Sequence, residues 1–97
     1  DALKKMKSSA CIINTSRGGI IDENALYNAL TGQIISGAVL DVFENETPKE
    51  SPLLRLENVF LTPHIAGLTE EAQVRTSTLV ANEVSKILKG YQSNCVV

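Results

Sequence analysis

The chain has 97 residues, the size of one small domain, which buries only about 60 to 65% of its unfolded surface. Its 43% apolar, 21% charged and 4% aromatic residues belong to a globular chain and disfavour disorder or a collagen-like repeat. Nine Lys plus Arg against eleven Asp plus Glu leave a formal charge of -2 with no basic block to neutralise phosphates, so nucleic acid is not an expected partner. No apolar run approaches the roughly 20 residues of a membrane span, so no membrane partner is expected and the chain reads as cytoplasmic. Cys11 and Cys95 form neither a CxxC pair nor a metal-ligand spacing. They are expected to be plain thiols, with no metal site.

In chain order, Asp1 to Lys7 predicts the last two turns of a helix, with Leu3 and Met6 three apart. Ala10 to Asn14 is a short continuous apolar run between Ser8-Ser9 and Thr15-Ser16-Arg17-Gly18-Gly19. That is the pattern of a strand buried on both faces, followed by a glycine pair that lets the backbone turn. Asp22 caps a predicted helix from Glu23 to Thr31, whose Ala25, Leu26, Ala29 and Leu30 make one apolar stripe, and Gly32 stops it. Gly37-Ala38-Val39-Leu40, within Ile34 to Val42, predicts a second strand ending on Asp41. The order strand, helix, strand gives a right-handed βαβ unit.

Glu44 to Ser51 is polar and contains Pro48, and Pro52 to Leu56 suits a single helical turn with proline first. Asn58 to Thr62 predicts a third strand, stopped by Pro63 before a loop, His64-Ile65-Ala66-Gly67. Thr69 caps a long helix running to Lys89, with Glu70 and Glu71 in its first turn and Gly90 closing it. Leu79, Val80, Val84, Ile87 and Leu88 share one of its faces, and the tail from Tyr91 to Val97 has no pattern. The fold class is therefore α/β: three short parallel strands with flanking helices, plus a long carboxyl-terminal helix.

Open sheets of this class bind ligands beyond the carboxyl ends of their strands. That rule selects Arg17 after the first strand, Asp41, Glu44 and Glu46 after the second, and His64, the only histidine, after the third. Histidine exchanges protons near neutrality, and a neighbouring carboxylate, Glu46 or Glu44, stabilises the imidazolium. Arginine presents a rigid fork of donors that suits a substrate carboxylate and polarises an adjacent carbonyl. Together these groups describe acid–base work on a small carboxylic acid. Each also has a plainer reading: a surface ion pair for Arg17, a loop residue for His64, a solvated acidic loop for the glutamates and a solvated strand end for Asp41.

Three ordered segments carry a resemblance. Ile13-Asn14-Thr15-Ser16-Arg17-Gly18-Gly19-Ile20-Ile21-Asp22, then Gly37 to Glu46 (GAVLDVFENE), then Leu61-Thr62-Pro63-His64-Ile65-Ala66-Gly67, resemble the D-isomer-specific 2-hydroxyacid dehydrogenases over nearly the whole chain. The likeness is strongest to the phosphoglycerate dehydrogenase and hydroxypyruvate or glyoxylate reductase branch. It implies the second half of a Rossmann-type, doubly wound nucleotide-binding domain, with the helix at about 69 to 89 returning toward a substrate domain.

Position by position, the resemblance puts the substrate ligand on Arg17 and the nicotinamide carboxamide ligand on Asp41. It lines the ring with Thr15, Ser16, Arg17 and Gly67, pairs Glu46 with the histidine, and makes His64 the general acid and base. It further implies NAD as cofactor, with NADP not distinguished, a small 2-hydroxy or 2-keto acid as substrate, and a homodimeric parent.

Two departures stand out. Thr47 intervenes between Glu46 and Pro48, where the family usually puts proline directly after the glutamate. None of the six glycines falls in a G-x-G-x-x-G pattern after a strand, so the pyrophosphate cradle and the acidic ribose ligand are missing. The chain is thus expected to be the carboxyl-terminal part of a longer enzyme and inactive alone. The alternatives are an NAD-sensing regulatory or corepressor protein built on the same fold, and a non-catalytic half-domain that dimerises through bare edges and faces.

Overall fold

The computed structural model describes residues 1–45, 49, 51–93 and 95, in two compact units, Asp1–Ala66 and Gly67–Val97. The first unit holds a three-stranded parallel sheet of β1 (Cys11–Asn14), β2 (Gly37–Leu40) and β3 (Val59–Leu61), ordered β1-β2-β3. Its register, Ile12 beside Ala38 beside Val59 and Asn14 beside Leu40 beside Leu61, puts these residues on one face. Helix α1 (Glu23–Thr31) covers that face with Leu26, Ala29 and Leu30. Leu53 joins them from a 3-10 turn, Pro52–Arg55, which has proline at its start as expected.

The other face departs from the sequence expectation. Cys11 is exposed, as are Ile13 at 67% and Phe60 at 66%, so β1 is buried on one face and not on both. The physical reason is local: α1 and the 3-10 turn both stand on the Ile12–Leu40–Leu61 side of the unit. A continuous apolar run says that a strand is apolar on both sides, not what covers each.

Helix α1 begins where its cap predicts. Asp22 accepts a hydrogen bond from the Ala25 amide (2.9 Å), satisfying one of the donors that the first turn leaves unpaired. Its end differs in detail. Gly32 closes the helix at φ -80, and Gln33 adopts the left-handed conformation at φ 53. The opening segment is also corrected. It is a single 3-10 turn, Leu3–Lys5, after which Met6 is extended, because a few residues form too few hydrogen bonds to offset the cost of an α-helical nucleus. Leu3 and Met6 pack against the core from that turn.

The second unit is built on α2 (Glu70–Leu88). Thr69 caps it by accepting from the Ala72 amide (3.1 Å), with Glu70 and Glu71 in the first turn. It closes on Gly90 at φ 81: the Gly90 and Tyr91 amides donate to Ile87 (2.9 Å) and Lys86 (3.0 Å), which is the Schellman arrangement that favours glycine. The buried residue of α2 is Glu83, whose carboxylate accepts from Lys86 Nζ and from the Ser93 hydroxyl, tying the tail to the helix. Among the described residues no helix is long and apolar enough to cross a membrane. Both cysteines are free thiols.

Candidate active site at the carboxyl edge of the sheet

Three parallel strands end on the same edge, and each is followed by one of the polar residues singled out above. The segment after β1 is shaped by Asn14, only 7% exposed at the end of the strand. Its Oδ1 accepts from the Ser16 amide (3.1 Å) and its Nδ2 donates to the Arg17 carbonyl (3.0 Å). The side chain thereby closes the loop on itself, as asparagine does at turns. Thr15, Ser16 and Arg17 are exposed on this loop, and the guanidinium donates to the Ser16 carbonyl (2.8 Å). Beyond them Gly18 lies against the Phe43–Glu44 backbone, where a Cβ would fall 1.8 Å from the Phe43 carbonyl oxygen.

After β2 comes Asp41, 2% exposed, whose amide donates to the Asn14 carbonyl (2.9 Å). Its Oδ1 accepts from the Thr62 hydroxyl (2.5 Å) and the Ile65 amide (2.9 Å), and its Oδ2 from the Ala66 amide (2.9 Å). A single buried carboxylate therefore holds both sides of His64. The histidine is exposed, sits at φ 54, and donates its amide to the Thr62 carbonyl (3.1 Å) across Pro63. Left-handed backbone at a non-glycine residue costs on the order of 1 to 3 kcal/mol and persists only where the surroundings impose it.

The Thr62 hydroxyl, above all, holds the Asp41 carboxyl below its ordinary value. Burial opposes this, while the two amides and the charge of His64 add to it. Because the folded-state value is depressed, the brace contributes stability that is complete above the unfolded value of about 3.9 and is lost as pH falls through the lower folded value. The Ile65 and Ala66 amide resonances are therefore expected to titrate together in two-dimensional NMR, with a midpoint below the ordinary aspartate value. A shared midpoint at or above that value would contradict the assignment.

Of the two glutamates considered as the histidine's partner, Glu44 is engaged at α1. Its Oε1 accepts from the Glu23 amide (3.2 Å), while its own amide donates to the Glu23 carboxylate (2.7 Å), so it serves the start of the helix. Glu46 lies outside the described residues. Gly67 opens the second unit. A Cβ there would meet nothing within 4 Å and its φ is not left-handed, so the space above it is open.

Sequence reasoning missed two residues of this edge, Asn14 and Thr62. Both are legible in hindsight from register: Leu40 pairs with Leu61, so the next residues, Asp41 and Thr62, stand side by side. Asn14 ends β1 one row earlier, beside Leu40, and its carbonyl accepts from the Asp41 amide.

Comparison with known proteins adds an independent line. Residues 1–66 match the family described as D-isomer specific 2-hydroxyacid dehydrogenase, NAD binding domain. The chain is 52% identical over 92 residues to D-3-phosphoglycerate dehydrogenase of Methanocaldococcus jannaschii, covering 95% of this chain and 18% of that protein. It is 45% identical over 91 residues to glyoxylate reductase of Korarchaeum cryptofilum, covering 93% and 27%. Among solved structures, an acyclic imino acid reductase in complex with NADPH and D-Arg superposes with a TM-score of 0.85 at 36% identity, over 98% of this chain and 30% of the other. The chain thus spans about a fifth to a quarter of the length of these curated relatives.

Proposed function

The chain belongs to the D-isomer specific 2-hydroxyacid dehydrogenase family through its NAD binding domain, and on that premise we propose that it is the catalytic side of that domain in an oxidoreductase. The reaction is hydride transfer between a nicotinamide and a D-2-hydroxy or 2-keto acid of the phosphoglycerate, hydroxypyruvate or glyoxylate type. The observation that carries this reading is the position of Arg17, Asp41 and His64, one after each of three adjacent parallel strands.

The residues fit the nicotinamide end of such a cofactor. An ionised carboxylate has about four acceptor sites, and Asp41 uses two on Oδ1 and one on Oδ2. That leaves Oδ2 one site for a carboxamide N–H. Thr15, Ser16 and Arg17 are exposed on the loop that follows the neighbouring strand. The phosphates have no cradle in these residues, since the glycine-rich turn is absent. The 97 residues alone are therefore expected to give no turnover.

When bound, the cofactor supplies the hydride acceptor or donor. Arg17 binds the substrate carboxylate and polarises the neighbouring carbonyl. His64 takes the proton from the 2-hydroxyl during oxidation and returns it to the same oxygen during reduction. On the family resemblance, Glu46 is assigned as the carboxylate partner of His64. The helix α2 leads toward a substrate domain, and the parent protein is a cytoplasmic homodimer, both resting on the family resemblance. Sedimentation of the parent checks the assembly. The named relatives are dehydrogenases and reductases, which favours turnover over an NAD-sensing regulatory role.

The test is NADH or NADPH oxidation by the protein that carries this chain, with glyoxylate and hydroxypyruvate as acceptors. Turnover is expected with at least one of them. Arg17→Lys keeps the charge but loses the two-pronged geometry, and is expected to lower kcat/KM by about 10- to 100-fold, mostly through KM. Absence of turnover with any 2-keto acid, or an Arg17→Lys variant as good as the original, would overturn the reading.

A further inference from the structure

Resting on the dehydrogenase reading, we infer that Thr62 is a positioning residue: through the buried Asp41 carboxylate, its hydroxyl clamps the 63–66 turn and so sets where the His64 imidazole stands. The donors come from both sides of the strained residue, Thr62 before His64 and Ile65 and Ala66 after it. All three converge on one carboxylate 21 to 25 residues away in sequence. That carboxylate is anchored, because Asp41 directly follows the central strand and its own amide is bonded to the Asn14 carbonyl. The turn is thus held by an anchor in the sheet, at a point where left-handed backbone would otherwise relax.

The chemistry selects both partners. A carboxylate accepts from three donors at once, whereas an asparagine would turn an N–H₂ toward a donor. Threonine adds a side chain stiff at χ1, so its hydroxyl keeps its direction. Its backbone is secured separately, since the Thr62 amide donates to the Leu40 carbonyl (3.0 Å). Removing the hydroxyl therefore leaves the strand paired and acts on the clamp, leaving a buried charge less well satisfied.

The experiment compares Thr62→Val, Thr62→Ser and the unmodified sequence in the protein that carries this chain. Thr62→Val is expected to speed amide hydrogen exchange at Ile65 and Ala66 by about tenfold or more while β1 and β2 keep their protection. It is also expected to lower kcat by about 10- to 100-fold with cofactor KM changed less than about twofold. Thr62→Ser restores both readouts. Unchanged exchange at Ile65 and Ala66, a kcat unaffected by faster exchange, or a loss confined to cofactor KM would each overturn the proposal. Lack of any turnover in the unmodified protein would sink the dehydrogenase reading instead, and the exchange data would still decide whether the clamp exists.

Discussion

Exchanging His64 for asparagine in the protein that carries this chain is expected, on the proposed dehydrogenase reading, to lower kcat for 2-keto acid reduction by about 100- to 10,000-fold, the usual contribution of a positioned acid–base group. Asparagine is the informative replacement because of the backbone. His64 sits at φ 54, and asparagine is among the few residues that tolerate that region, whereas alanine would pull the turn toward another conformation. With His64→Asn the Ile65 and Ala66 amides should remain bonded to Asp41 and exchange as slowly as before, so a fall in rate reports lost proton transfer. His64→Ala is expected to lose as much rate and also to loosen the two amides. A His64→Asn variant within tenfold of the original kcat, with exchange unchanged, would remove the imidazole from the reaction and the assigned site with it.

The contrast between these variants follows from what was and was not readable beforehand. Strand and helix limits were legible because local chemistry writes them: Asp22 and Thr69 each cap the helix predicted from them, and Gly90 takes the left-handed position that closes α2. The positions of the candidate residues were legible because parallel strands must end on one side, so Arg17, Asp41 and His64 fall after β1, β2 and β3. The bonds among these residues were not. Asp41 reads as a solvated strand end until register brings Thr62 beside it, and no local pattern states that two amides of a later turn will reach the same carboxylate. The bare face of the sheet around Ile13 and Phe60 escaped for a related reason. Composition marks a strand as apolar, but only the placement of other elements decides which side is covered.

The glycine pair after β1 shows the same division, and it yields the second large effect. Gly18→Ala is expected to destabilise the first unit by about 3 kcal/mol or more, the upper end of what overpacking costs, whereas Gly19→Ala should cost only about 1 to 2 kcal/mol. The sequence suggests one role for both, freedom to turn, yet only Gly19 uses it, at φ 78 with nothing within 4 Å of a Cβ. Gly18 is needed for space. Its added methyl would lie 1.8 Å from the Phe43 oxygen, 2.2 Å from the Phe43 carbonyl carbon and 2.8 Å from the Glu44 amide nitrogen. These are backbone atoms, so no side-chain rotation relieves the clash. The strand-end segment that carries them is fixed by buried Val42 and Phe43 on one side and by the Glu44–Glu23 exchange at α1 on the other. The Arg17 loop would have to lift instead, which shifts the backbone that carries the guanidinium. Urea unfolding of both variants, followed by kcat/KM for the keto acid, separates the cases: Gly18→Ala should lose stability and substrate affinity together, Gly19→Ala mainly a little stability. Equal losses at the two positions would mean that the approach of the Arg17 loop to Phe43 is not what secures this edge of the sheet.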